Sequence, residues 1–215
     1  MLDINLIALR IVHSTVKLYS IIKIGIHAFL RLIDLFPQDE VHNKAIEWIN
    51  CFAPNKTIVS VHLKNNHLDT RSNADPQAWA RFFKYCETKF PLVKFVLIGN
   101  DLISSDILQR SNVVATSMHE GNLILDFAII SNSFLFMGMS SGPCNFAIMS
   151  NKPYLIWKHP GHHTKEMEIE FSGHQQFLFA KQTQKFFIDW DTQQNLSNQF
   201  NIMYSKLCRI ACFSG

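Results

Sequence analysis

Apolar residues recur at helical spacing through residues 4–36 (INLIALRIVHSTVKLYSIIKIGIHAFLRLIDLF), and Arg10, His13, Lys17, Lys23, His27 and Arg31 interrupt them at about the same period. That pattern predicts a pair of amphipathic helices, broken near Gly25, with a polar stripe on one face and Leu, Ile, Val and Phe on the rest. The charges argue against a membrane-spanning helix, which needs about twenty residues nearly free of charge. No apolar core ends in the small-residue cleavage site of a secretory signal. Pro37 to Glu40 reads as a turn and helix start, 41–49 as a short helix, and Ala53-Pro54-Asn55-Lys56 as the boundary of the next domain.

From Thr57 the period alternates between strand and helix. Strands are expected over 57–63, 93–98, 112–115 and 134–137, with another closing the stretch that ends at Trp157. Between them, helices are expected over 75–90, opening with Asp75-Pro76, and over 105–110 and 122–130. Strands separated by helices imply right-handed βαβ units. The expected fold is therefore α/β: a Rossmann-like parallel sheet of about five strands in the order 3-2-1-4-5, flanked by helices. Short strands are expected over 176–180 and 186–190, and an amphipathic helix over 197–212. The expected organisation is a helical segment over 1–53 and a Rossmann-like domain over 54–215.

Composition narrows the classes. The chain is 47% hydrophobic and 17% charged, with 18 Phe, which fits an apolar globular protein and not a disordered one. A net charge of +3 without clustered Lys and Arg gives no reason to expect a nucleic-acid partner. Five Cys, at 51, 86, 144, 208 and 212, form no regular framework and fit a reducing, cytoplasmic setting. Residues 4–36 carry cations and no anion between Asp3 and Asp34, a pattern suited to peripheral membrane contact or a partner domain.

Candidate chemistry centres on the turn Ser140-Ser141-Gly142-Pro143, between an apolar strand and a short helix. Pro143 suits the first helical position, and Ser140 or Ser141 the N-cap, so backbone N–H groups and two hydroxyls would face an anion such as phosphate. In the expected strand order this turn meets the loop carrying His62, Lys64 and Asn65 at the topological switch point, with Gly99, Asn100 and Asp101 as the next neighbours. A cation, an imidazole, hydroxyls and amides together suit a nucleoside diphosphate. Neither GxxxxGK[ST] nor GxGxxG occurs. Gly138-Met-Ser140 and Ser141-Gly142 come near a nucleophile elbow, and with Asp101 or Asp126 and one of His159, His162 or His163 they keep a serine hydrolase as an alternative. For a general base, His67, Asp69, Asp75 and Glu120 are candidates by loop position, and His119 stands near a ribose or base. Asp69, Arg71 and Asp75 are equally explained by a solvated loop and an N-cap. His159, His162 and His163 crowd like metal ligands, but their Pro-Gly loop is expected to have no carboxylate or Cys partner, and no metal site is assigned there or at Cys208 and Cys212.

Residues 124–157 (ILDFAIISNSFLFMGMSSGPCNFAIMSNKPYLIW) resemble the nucleotide-sugar-binding half of GT-B glycosyltransferases. The likeness is to fucosyltransferase-like enzymes, with a Ser-Ser turn before a helix, and to heptosyltransferases, whose turn reads Asp-Ser/Thr-Gly-Pro. SVHLKN (60–65) is similar to the His-x-Arg segment of the fucosyltransferase group, which implies that His62 and Lys64 face the donor diphosphate. Lys64 replaces the Arg, putting a point charge where the family has a bidentate fork. The resemblance implies a nucleotide-diphosphate sugar as donor, no separate cofactor, and a glycan or lipid-linked acceptor. GT-B enzymes have two Rossmann-like domains, whereas only about fifty residues precede this one, so the acceptor half is expected to be largely missing. A non-catalytic nucleotide-sugar-binding or scaffold domain is the other alternative.

Overall fold

A computed structural model describes residues 38–213 apart from positions 120, 151, 172 and 173. The helices expected over 4–36 lie outside the described residues. Two compact units divide at Asn43 and Lys44. No helix among the described residues is long and apolar enough to cross a membrane.

The first helix, α1 (Gln38–Phe52), carries Asp39 and Glu40 in its first turn, where the helix dipole favours anions. Then β1 (Thr57–His62), α2 (Pro76–Lys89), β2 (Val93–Leu97), α3 (Ser105–Leu108), β3 (Val113–Ala115), α4 (Leu123–Asn132), β4 (Leu135–Met139), α5 (Cys144–Met149), β5 (Tyr154–Lys158), α6 (Thr164–Glu170), β6 (Gln184–Ile188) and α7 (Gln193–Phe213) follow. The six strands form one sheet in the order β3-β2-β1-β4-β5-β6, parallel at every pairing. This is the expected α/β fold, extended by one strand.

Alternation along β1 divides the core. Val59 and Val61 join Phe95, Leu97, Met137 and Trp157 in the cluster beneath α2 and α7. α2 starts where Asp75 accepts the N–H groups of Gln77 and Ala78 at 2.9 and 3.2 Å, with Pro76 behind it. It then drives Trp79, Phe82 and Phe83 into the sheet, and Phe82 meets Phe200 of α7 edge to face at 5.5 Å between centroids.

Two expectations at the far edge are corrected. Residues 176–180 form no strand: the Gln176 side-chain amide pairs with both backbone groups of Phe186 at 2.7 Å, so one side chain covers the sheet edge in place of a strand ladder. The strand expected over 186–190 lies two residues earlier, because Asp189 and Trp190 turn into α7.

Candidate functional site

The chain leaves β1 towards β2 on one side and reaches β4 on the other, so the carboxyl ends of β1 and β4 flank the switch point where open α/β sheets bind ligands. A cleft of about 490 Å³ opens there. His62, Lys64 and Asn65 line it after β1, Gly99, Asn100 and Asp101 after β2, and Ser141 and Gly142 after β4. A larger cavity, about 630 Å³, lies between β5, β6 and α7, away from these loops.

His62 is the hinge of the cleft, only 3% exposed. Two glycines make its slot. Gly138 pairs with it across β1 and β4 at φ +154°, and a Cβ there would sit 2.4 Å from the His62 carbonyl oxygen. Gly99, at φ +89°, leaves room for the ring, since its Cβ would stand 2.9 Å from His62 Cδ2. Within that slot His62 Nε2 is 3.0 Å from Asp101 Oδ2, and Nδ1 is 2.8 Å from Ser141 Oγ. With the proton on Nε2, the ring donates to Asp101 and accepts from the Ser141 hydroxyl. Asp101 Oδ1 also accepts the Asn65 N–H at 2.8 Å. The His62 bond is the main reason its carboxyl titrates below the ordinary range, and the Asn65 N–H adds to it.

The serine turn differs from its expected role. Neither hydroxyl caps α5: Pro143 occupies the capping position without a side-chain bond. Ser140 continues the sheet, its N–H donating to the Trp157 carbonyl at 2.7 Å, and it does not line the cleft. Ser141 Oγ is engaged by His62 and lies 3.0 Å from the Met139 carbonyl. The Ser141 N–H instead meets Cys144 Sγ at 3.2 Å, and burial pushes that thiol up to about 11.

Lys64 Nζ donates to the hydroxyl of Ser72. An ammonium has three donors, so two remain for a ligand. The Asn65 amide is held by the Leu102 carbonyl at 2.8 Å, while Asn100 stands exposed at the rim. Asp126, expected only as a hydrolase acid, is a buried brace of the cleft wall. Its Oδ2 accepts the Gly99 N–H at 3.0 Å and Oδ1 the Thr116 hydroxyl at 2.7 Å, and burial pushes its carboxyl upward. Asn66 and Pro143, which belong to the two expected loops, also line the cleft, and so do Leu123 and Phe127, which the sequence did not single out.

The candidate bases separate by environment. His67 is exposed and lines the cleft. Asp75 is spent on capping α2. Asp69 accepts from Arg71 Nε at 2.9 Å and lies 2.9 Å from His162 Nε2. His119 stacks on Phe52 at 4.0 Å between centroids, and Glu120 lies outside the described residues. The histidine loop after β5 does have carboxylate partners, contrary to its reading in isolation: His159 Nε2 is 2.7 Å from Asp191 Oδ1, and His162 faces Asp69. Those partners lie 32 and 93 residues away, so no local pattern announces them.

No protein-family model matches the chain, and no curated protein matches it. Among solved structures, that of the ADP-heptose LPS heptosyltransferase II of E. coli is similar, with a TM-score of 0.53 at 13% identity. The match covers 79% of this chain and 52% of that one, so the chain spans about half the length of that relative. At such identity the likeness is one of fold: the domain is glycosyltransferase-like in architecture.

Proposed function

We propose that this chain is the donor-binding half of a GT-B-type glycosyltransferase, which holds a nucleotide-diphosphate sugar in the cleft at the ends of β1, β2 and β4 and serves transfer of the sugar to a glycan or lipid-linked acceptor. The observation that carries the reading is the meeting of Lys64, His62 and Ser141, from loops far apart in sequence, at the switch point. Lys64 supplies charge to the diphosphate and Ser141 a hydroxyl hydrogen bond, with His62, held between Asp101 and Ser141, orienting that hydroxyl; Asn100 at the rim is placed for ribose or base. Developing charge on the leaving diphosphate is neutralised by these groups, which Asp101 and Asp126 hold in position. The likeness of SVHLKN to the fucosyltransferase segment supports the roles of His62 and Lys64. In this reading the enzyme is cytoplasmic, and residues 4–36 recruit the acceptor membrane or a partner domain that completes the cleft.

Calorimetry with a panel of nucleoside diphosphates and their sugars tests the reading. At least one should bind, and Lys64→Ala and Ser141→Ala should each weaken it by about tenfold or more, the worth of a charge-assisted hydrogen bond. Absence of binding across the panel, or unchanged affinity in both variants, would remove the proposal.

The hydrogen-bonded chain Ser141–His62–Asp101 favours a second reading, a serine hydrolase of short acyl esters. Against it, the Ser141 N–H is already committed to Cys144 Sγ and is not free to serve as an oxyanion donor. Labelling of Ser141 by a fluorophosphonate, lost in His62→Ala, would establish the hydrolase; an unlabelled protein that binds nucleoside diphosphates rejects it.

A further inference from the structure

The loops after β1 and β5 meet beside the cleft, and donor binding leaves one part of that meeting unused. Asp69, His162 and His163 each offer one ligand atom, and the three atoms lie within 4.8 Å of one another. His162 Nε2 stands 2.9 Å from Asp69 Oδ2, and the two imidazoles pack edge to face with centroids 4.4 Å apart. The His162 side chain is only 8% exposed, and its Nδ1 is buried with no hydrogen-bond partner among the described residues. The one polar contact of the buried ring among the described residues is therefore the one that Nε2 makes with Asp69.

We propose that Asp69, His162 and His163 bind a divalent cation of the zinc class, which fastens the loop after β1 to the loop after β5. Two imidazoles and a carboxylate are a donor set that zinc takes readily, with a fourth position left to water or another side chain. At zinc bond lengths of about 2.0–2.2 Å, neighbouring donors of a tetrahedral centre stand about 3.3–3.5 Å apart. The Asp69–His162 pair needs to open by only a few tenths of an ångström, and the His163 ring to swing inward by about 1 Å. His163 is 58% exposed, so water and not core packing resists that swing. With Nε2 on the metal the neutral ring carries its proton on Nδ1, a buried donor whose cost the metal bond must offset. Glu166 Oε1 lies 3.6 Å from His163 Nδ1 but outside the group of three, so the fourth place falls to water. Arg71 opposes the cation, bonding Asp69 Oδ1 at 2.9 Å and Oδ2 at 3.2 Å, but its side chain is 72% exposed and can keep Oδ1 while yielding Oδ2. Asn66 and His67, which line the donor cleft, lie on the loop so fastened, and the metal would steady that wall.

The test uses the full chain, stripped with a chelator and then returned to Zn²⁺. After desalting, elemental analysis should find about one zinc per chain, and excess Zn²⁺ should raise the melting temperature by several degrees. His162→Gln and His163→Asn should each weaken zinc binding by about tenfold or more. His163 sits in left-handed backbone at φ 52°, which Asn tolerates, so His163→Asn should melt like the wild type when metal-free, separating lost binding from lost folding. Co²⁺ in place of zinc should give ligand-field bands without thiolate charge transfer. Failure to retain zinc, full retention in both variants, or a thiolate band assigning the metal to Cys208 and Cys212 would each overturn the site.

Discussion

Gly138→Ala should cost about 3 kcal/mol or more of stability and empty the cleft of its geometry. The added Cβ would meet the His62 carbonyl oxygen at 2.4 Å and its nitrogen at 3.1 Å, both backbone atoms of the neighbouring strand. Neither can rotate away. Overpacking between well-packed elements costs about 1–3 kcal/mol, and an L-residue held at positive φ adds about 1–2 kcal/mol. The only relief is to part β1 from β4 at the His62–Gly138 pair, which carries His62 away from Ser141. Thermal melts should therefore fall by about 6–12 °C for a chain of this size. Gly142→Ala is the control: nothing lies within 4 Å of its Cβ, and its stability should stay within about 0.5 kcal/mol of wild type. Equal melting temperatures for the two variants would mean that the close approach at Gly138 does not hold the site.

The contrast between these glycines marks where the sequence was legible. The apolar runs of β1, β2 and β4, separated by amphipathic helices, predicted a parallel sheet, and chain chirality left few orders for it. The order 3-2-1-4-5 then brought the loops at 62–65, 99–101 and 138–142 together before any coordinate was known. The sixth strand lies earlier than expected because Phe186, Phe187, Ile188 and Trp190 make 186–190 look like a strand in spite of Asp189, while the edge is set by a glutamine side chain at Gln176 that no periodicity reveals. Local rules favour Ser140 or Ser141 as a cap; a histidine 79 residues away takes the Ser141 hydroxyl instead. Asp126 hid in an apolar helix. Its place is fixed by the Gly99 N–H and the Thr116 hydroxyl, a tertiary fact. Burial of polar groups was thus the illegible part, because each depends on a partner that only folding supplies.

Asp191 is the extreme case, and replacing it should have the other large effect. It is 2% exposed and receives three donors: the Asp75 N–H at 2.9 Å and Trp79 Nε1 at 2.8 Å on Oδ2, and His159 Nε2 on Oδ1. His159 Nδ1 in turn lies 3.1 Å from the Arg71 carbonyl, so both ring nitrogens face protein oxygens. Through these bonds one carboxylate ties the start of α2 to the loops after β1, β5 and β6. Asp191→Ala would strand three donors, two of them in buried bonds, and should cost about 3–5 kcal/mol, as when one member of a buried pair is removed. Asp191→Asn should cost less, about 1–3 kcal/mol, because its oxygen can keep the two donors on one side while its amide meets only His159. Urea unfolding of both variants distinguishes this from simple loss of volume, which would make Asn nearly silent. In an Asp191→Ala background, Trp79→Phe should then cost only its loss of packing, less than it costs in the wild type, since the indole N–H has already lost its acceptor, whereas fully additive losses would show that the two side chains act independently.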